Sequence, residues 1–330
     1  EAGKKISVYN ENFFTGLNDV KLVWELITDG VIKQKGEINN LNVKPQQTAS
    51  FEIPYTLPTN GESFLNVYYY QKNGKNLIPA GHKVASQQLP LGGKMVQAYQ
   101  PVKAVSTLSV DDNGQDLIIK SAKANLKFDK LNGLLKEYIV NNQSFLEEGA
   151  ALKPNFWRAP TDNDMGANLQ LRLKAWKTAS DSLQLRSLKH NISNNVATID
   201  AVYDLYKIPA QLKISYRINS DGEITVNQSL NPEAGGKPYD IMLLRYGMNW
   251  VLPQGFEAIS YYGRGPDENY QDRKEMSPIG LYHQTVSQQF YGYVRPQETG
   301  NKTDVRWFEI TNNKGKGIRI QGDNLLSMSA

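Results

Sequence analysis

The residues best suited to chemistry in this sequence lie in three segments that combine acidic, basic, aromatic, glycine and proline residues. The first segment, Phe156 to Asp164, reads FWRAPTDND. Asp162 and Asp164 are two positions apart, with Asn163 between them, so on a strand both carboxylates would share a face. In a loop they could ligate a hard cation or pair with Arg158. The alternative, which we favour, is a structural turn whose acids cap backbone N–H groups while Trp157 fills the core.

The second segment runs from Tyr261 to Arg273 and reads YYGRGPDENYQDR. Its Glu268 and Asp272 are candidates for the two carboxylates of a glycosidase, although sequence spacing does not fix their separation. Ion pairing of these acids with Arg264 or Arg273 is the interpretation we favour. The Gly-Arg-Gly-Pro turn is too short for a phosphate-binding loop and lacks the Lys-Ser or Lys-Thr that would follow one.

The third segment, residues 293–307, reads YVRPQETGNKTDVRW. Aromatic faces cover the C–H patches of sugars, and polar side chains such as those of Glu298, Asn301 and Arg306 meet their hydroxyls. A loop-to-strand transition stabilised by an Arg–carboxylate pair explains the same residues equally well. The three segments supply one candidate carbohydrate-binding set, which consists of Trp157, Arg158, Asp162, Asp164, Arg264, Glu268, Glu298, Asn301 and Arg306. We predict neither catalytic residues nor a metal site.

Composition excludes several other classes of function. The 330 residues include no cysteine, which rules out disulfides, thiolate metal sites and a cysteine nucleophile. The three histidines (His82, His190 and His283) are far apart in sequence, which argues against a histidine-rich metal site. The formal net charge is +4, but the basic residues form no run, so no nucleic-acid partner is predicted. No apolar stretch approaches the length of a membrane span, and the compartment, periplasmic or cytoplasmic, stays open.

The elements that must position these segments are β-strands, because short alternating apolar runs are separated by turn residues. In the first ninety residues the predicted strands are Lys5–Tyr9, Val20–Ile27, Thr48–Ile53, Phe64–Tyr70 and His82–Leu89. About seven short strands with Trp24 in mid-strand are typical of an immunoglobulin-like sandwich. The Pro-Leu-Gly-Gly sequence at 90–93 indicates a boundary, so we divide the chain into domains 1–92 and 93–330.

The second domain continues the β-pattern nearly to its end. Its predicted strands include Leu117–Ser121, Ala124–Asp129, Val196–Tyr203, Ala210–Ile218, Glu223–Leu230 and Met242–Met248. Leu169, Leu173 and Trp176 are spaced as in a short amphipathic helix, which is the exception to the pattern. So much continuous β-structure exceeds one ordinary sandwich and favours a large two-sheet domain.

The three segments, in this order, resemble the C-terminal domain of glycoside hydrolase family 2 β-galactosidases, the domain often called the small chain. Upstream, NENFFTGLNDVKLVWELITDG and IPAGHKVASQQLPL resemble the immunoglobulin-like domain that precedes it in that family. Together these similarities cover essentially the whole chain. They imply an all-β protein, in which an immunoglobulin-like β-sandwich is followed by a β-supersandwich similar to galactose mutarotases and incomplete at its C-terminus.

The resemblance also implies what the chain lacks. In this family the catalytic glutamates lie on a TIM barrel, and no strand–helix alternation of that kind occurs here. Any magnesium or sodium ions would belong to that barrel, and no cofactor is expected in this chain. The family's closing Gly-Asp-Asp-Ser-Trp-like segment, whose tryptophan reaches the galactose pocket, is absent from these residues.

We therefore expect a non-catalytic C-terminal part of a β-galactosidase. The enzyme would hydrolyse terminal β-D-galactosides, and this part would support the barrel and the rim of its pocket. Its partners would be the rest of the same polypeptide, the β-galactoside substrate through the enzyme, and possible further copies in a homo-oligomer. The alternative is an independent carbohydrate-binding module with a mutarotase-like cleft.

Overall fold

The structure is a computed structural model that describes residues 4–93, 107–232 and 242–330. Its first part is a β-sandwich of six strands, β1 to β6, which are Lys5–Tyr9, Val20–Thr28, Val31–Ile38, Thr48–Glu52, Ser63–Gln71 and Lys83–Gly92. Strands β1 and β4 form one antiparallel pair, and the other sheet has the order β3-β2-β5-β6. Trp24 lies in the core between them, as its position in mid-strand predicted.

Strand β3 is the strand of this first part that the sequence prediction missed. Its residues, VIKQKGEI, are mostly polar and exposed, because β3 is an edge strand with little core to cover. The Asp29-Gly30 turn that joins it to β2 was predicted, and both residues have the left-handed conformation, with φ of 49° and 78°. A Cβ on Gly30 would lie 2.9 Å from the Cβ of Leu281, so this turn presses against the second part of the molecule.

The second part contains fifteen strands in the described residues. Strands β7 to β12 are Ser109–Asp112, Asp116–Lys120, Ala124–Asp129, Leu135–Val140, Gln143–Ser144 and Lys153–Asn155. Strands β13 to β17 are Leu183–Ser193, Val196–Leu205, Ala210–Asn219, Ile224–Pro232 and Gly247–Asn249. Strands β18 to β21 are Phe256–Arg264, Ile279–Thr285, Lys302–Asn312 and Gly317–Met328. The fold is therefore all-β, as predicted.

These strands form three larger antiparallel sheets and one short pair. The sheet orders are β11-β10-β9-β8-β7, β13-β14-β15-β16 and β19-β18-β20-β21, and β12 pairs with β17. Every second residue of β14 is buried, because one face of its sheet covers the main core. This core also contains Phe128 and Tyr216, whose rings meet edge to face at 5.0 Å.

Two sequence predictions need correction. The strand predicted at Met242–Met248 is reduced in the structure to β17, Gly247–Asn249, because only these three residues pair with a neighbouring strand, β12. The single helix predicted around Leu169–Trp176 is instead a series of short helices, α1 to α3, at Asp162–Gly166, Leu169–Arg172 and Lys174–Lys177. Leu173 and Trp176 are nevertheless buried, as the helical spacing predicted.

The two parts of the molecule share a packed contact. Phe64 of β5 packs with Tyr262 and Ile279 of the second part, and the amide group of Gln88 bonds both backbone groups of Ile279 at 2.8 and 2.7 Å. The structure places Pro90 to Gly92 in β6 rather than in a connection, which proline tolerates because β6 is an edge strand. The division into 1–92 and 93–330 stays a prediction, since residues 94–106 lie outside the described residues.

Within the described ranges, no helix is long and apolar enough to cross a membrane.

Candidate binding cleft

The three chemistry-bearing segments meet at a cleft of about 2140 Å³ in the second part of the molecule. One wall comes from β16 and another from β21, which are edge strands of two different sheets. Of the nine predicted binding residues, five line this cleft: Arg158, Asp162, Asp164, Glu298 and Asn301. The first and last of these five residues, Arg158 and Asn301, are about 140 positions apart in sequence, and the fold brings them to one cleft.

Asp164 and Arg158 form the ion pair of the first segment. The carboxylate accepts from the guanidinium at 2.5 Å and from the backbone N–H of Thr161 at 2.8 Å. The Thr161 hydroxyl accepts from the Asp164 N–H in turn, which is the capping box that starts α1. Burial alone would raise the pKa of Asp164, but the bonds from Arg158 and Thr161 outweigh it and lower this pKa. The structure thus shows both the pairing with Arg158 and the capping of backbone N–H groups that were predicted for this segment.

Glu298 lies deeper and is held by a residue that the sequence analysis did not single out. Its carboxylate accepts from the Arg245 guanidinium at 2.9 Å, and both side chains are largely buried. Burial raises the pKa of Glu298, and the attraction of Arg245 and Arg158 only partly opposes this. Arg245 was detectable as a lone charge in the apolar run Met242–Tyr246, because such a charge needs a partner when buried.

Glu268 does not line the cleft, although its partners Tyr293 and Arg273 do. Its carboxylate accepts from the Tyr293 hydroxyl, from Arg273 at 2.7 Å and from the backbone N–H of Gly300 at 2.9 Å. Burial alone would raise the pKa of Glu268, but these three bonds outweigh it and lower this pKa. Pairing with Arg264 or Arg273 was the favoured prediction for Glu268 and Asp272, and the structure confirms it for Glu268. For Asp272 the prediction was wrong, because its carboxylate accepts from the Asn163 amide at 3.2 Å instead.

Asp162 joins the first segment to the third. Its Oδ2 accepts from the Gln297 amide at 3.0 Å, and its backbone N–H donates back to the Gln297 Oε1 at 3.1 Å. Arg295 adds an exposed ion pair at 3.5 Å. Asn269, which is fully buried, exchanges backbone and side-chain hydrogen bonds with Asn301 at 2.8 Å and so joins the second segment to the third.

Three of the nine predicted residues lie away from the cleft. Trp157 packs against the main core, which is the role given to it in the structural alternative. Arg264 donates to Asp304 at 2.6 Å and to two backbone carbonyls. Arg306 forms a bidentate ion pair with Glu62 of the first sandwich, and its guanidinium lies over the rings of Phe64 and Tyr262. The sequence analysis selected Arg264 and Arg306 because they are charged residues in these segments. It did not predict their partners, Asp304 and Glu62.

The geometry shows what the carboxylates of the cleft can do. Each carboxylate described above, except that of Asp272, forms an ion pair with an arginine, and these pairs hold the surrounding loops in place. Among the described residues, no group of three or more His, Cys, Asp or Glu side chains is arranged to hold a metal ion.

Tyr270 lines the cleft, and its buried hydroxyl finds no hydrogen-bond partner within the described ranges. Burial raises the pKa of this hydroxyl.

Two known family models match this chain. The family model for the β-galactosidase small chain matches residues 120–330, which include all three segments. The chain belongs to the β-galactosidase small-chain family. A second model, for domain 4 of β-galactosidase, matches residues 6–92 of this small-chain protein, which is the six-stranded sandwich. The resemblance inferred from the sequence is thereby confirmed.

The three relatives described next are all much longer than this chain. A β-galactosidase of Priestia megaterium is 33% identical over 99% of the chain, which corresponds to 31% of that relative. A β-galactosidase of Streptococcus thermophilus is 24% identical over 97% of the chain, and one of Lactobacillus delbrueckii subsp. bulgaricus is 26% identical over 93%. In each of these two the match spans 30% of the relative. The chain thus spans about a third of the length of these relatives.

Proposed function

We propose that this small-chain protein is a non-catalytic part of a β-galactosidase that hydrolyses terminal β-D-galactosides. The carboxylates of Asp164, Glu268 and Glu298 are bonded to arginines and backbone N–H groups, and this observation carries the proposal. A glycosidase needs two carboxyl groups about 5–10 Å apart with the sugar between them. Here the acids hold the protein's own loops together, so their role is to support the structure.

The rest of the proposed enzyme would supply the chemistry. The matched relatives are called β-galactosidases, and about two-thirds of their length lies outside the match. We place the catalytic barrel, its acid and nucleophile, and any magnesium or sodium ions in that remaining part. This chain would support the barrel and shape the rim of its pocket, and it could contribute to contacts in a homo-oligomer.

An activity assay tests the proposal directly. The purified 330-residue chain should not hydrolyse a chromogenic β-galactoside, whereas the complete polypeptide expressed from the same gene should. Glu298→Gln and Glu268→Gln variants serve as controls, because each removes one carboxylate without removing the side chain. Hydrolysis by the chain alone that one of these variants abolishes would overturn the proposal and make that acid catalytic.

Independent carbohydrate binding is the second candidate function. One observation favours it: the unpaired Tyr270 hydroxyl lines a large cleft together with Arg158 and Glu298, and a sugar hydroxyl would satisfy it. Titration of galactose or lactose into the chain, followed by calorimetry, tests this candidate. Binding that weakens in Tyr270→Phe at unchanged melting temperature would support it, and the absence of binding at millimolar sugar would exclude it.

A further inference from the structure

The loop at residues 290–294 carries four apolar or aromatic side chains in five positions, and three of them are exposed. Phe290 is 73% exposed, Tyr291 61% and Val294 fully exposed, while Tyr293 is half-buried beside Glu268. The rings of Tyr291 and Tyr293 lie 4.7 Å apart. We call Phe290, Tyr291 and Val294 the apolar tip. Such a concentration of exposed apolar side chains marks a site of interaction, because water solvates it poorly.

The three segments hold the base of this loop in place. The carboxylate of Glu268 accepts hydrogen bonds from the hydroxyl of Tyr293, inside the loop, and from the backbone N–H of Gly300, which follows the loop. Asp162 is bonded to Gln297, and the Tyr291 N–H donates to the Thr299 hydroxyl at 2.8 Å. The acids that the cleft does not use for chemistry therefore position the apolar tip. A loop ordered before binding loses little conformational entropy when it docks, which favours tight association.

The chemistry of the tip selects its occupant. Phe290 and Val294 carry no hydrogen-bonding side-chain group, so they offer nothing to the hydroxyls of a sugar. A protruding apolar tip fits a recess in a protein surface. The matched relatives carry about two-thirds of their length outside the region matched by this chain. A surface on the same polypeptide is present at a high effective concentration, whereas a second copy is not.

We infer that Phe290, Tyr291 and Val294 dock into an apolar recess on the remaining part of the β-galactosidase polypeptide. This inference rests on the proposed function, because it requires that part to exist. It gives the three segments one shared role: they present the apolar tip to the catalytic part. The supporting role of the chain is thereby assigned to a specific surface.

Hydroxyl-radical footprinting of aromatic side chains tests the docking. Oxidation of Phe290 and Tyr291 should be about tenfold slower in the complete polypeptide than in the 330-residue chain, the factor expected if nine in ten molecules are docked. Tyr206, which is half-exposed in the turn between β14 and β15, is the reference tyrosine in both samples. Protection in the complete polypeptide should not depend on its concentration. Equal oxidation of the tip in both samples would overturn the inference.

Variants separate docking from folding. Combined replacement Tyr291→Ser and Val294→Ser should restore oxidation of Phe290 in the complete polypeptide, while the melting temperature of the 330-residue chain stays unchanged. Leu131→Ser, at a residue 87% exposed far from this loop in sequence, should leave the protection intact and is the matched control. Loss of protection in both variants would show general unfolding and contradict the inference.

The alternative occupants give distinct results. Protection of Tyr291 in the isolated chain that grows with protein concentration would assign the tip to a second copy. Protection caused by added galactose would assign it to a sugar. Either result would overturn the inference. The proposed function fails separately, through hydrolysis by the chain alone, so the two failures are distinguishable.

Discussion

Arg264 provides a test of how much a single buried ion pair contributes to this fold. Its guanidinium and the carboxylate of Asp304 are 2.6 Å apart, with only 13% and 14% of the two side chains exposed. Arg264→Ala removes the shorter of the two ion pairs of Asp304 and leaves Lys274 as its partner at 3.2 Å, so it should lower the free energy of unfolding by about 1.5–3 kcal/mol. Urea denaturation measures this change. Lys5→Ala breaks the exposed pair with Glu52 and, as a control, should cost at most about 1 kcal/mol.

Glu268 predicts how stability depends on pH. Its pKa in the folded state is below the ordinary value of 4.5, because the bonds from Tyr293, Gly300 and Arg273 outweigh burial. The folded state therefore binds the proton less well than the unfolded state. Its stabilisation is complete above the unfolded pKa and is lost as pH falls through the folded pKa.

The corresponding variant is Glu268→Gln. It should melt below the wild type at pH 7, and the gap should narrow as pH falls toward 3, because the wild type loses its advantage by protonation. Thermal melts at a series of pH values measure the gap. A gap that is constant with pH would show that the charge of Glu268 does not stabilise the fold.

At the scale of elements, the turn between β2 and β3 is a point of close approach. Gly30→Ala should destabilise the chain by more than about 1–2 kcal/mol, since the left-handed backbone penalty is joined by a clash with Leu281. Gly114→Ala is the matched control: its φ is +91°, but nothing lies within 4 Å of an added Cβ. Equal losses from the two variants, in urea denaturation, would show that the contact with β19 is unimportant.

The sequence predicted those features of the fold and the cleft that depend on residues close together in the chain. Alternating burial predicted β14 and β15 almost to the residue, and adjacency predicted the pairing of Arg158 with an acid six residues away. The exposed strand β3 has no such pattern and was missed. The partners of Arg245 and Arg306 lie 53 and 244 residues away, and only the folded sheets bring them together.

The whole molecule presents two edge strands to the cleft. In the described ranges no further strand pairs with the outer edges of β16 and β21, so their backbone N–H and C=O groups can pair with another chain. The 330-residue chain should therefore self-associate, as light scattering would measure. Thr225→Lys and Asn227→Lys, at exposed positions of β16, should reduce the association, since edge lysines oppose strand addition. A monodisperse monomer at high concentration would contradict this prediction.

The ion pair between Glu62 and Arg306 can form only late in the synthesis of the chain. The two residues are 244 positions apart, and a ribosome that adds about 5–20 residues per second needs about 12–50 s to synthesise that span. Until Tyr262 and Arg306 have been made, Glu62 and Phe64 of the first sandwich lack the partners that they have in the folded molecule. That sandwich must stay folded on its own core while the rest of the chain emerges. A chaperone that shields newly made chains would find this unfinished surface before Arg306 covers it.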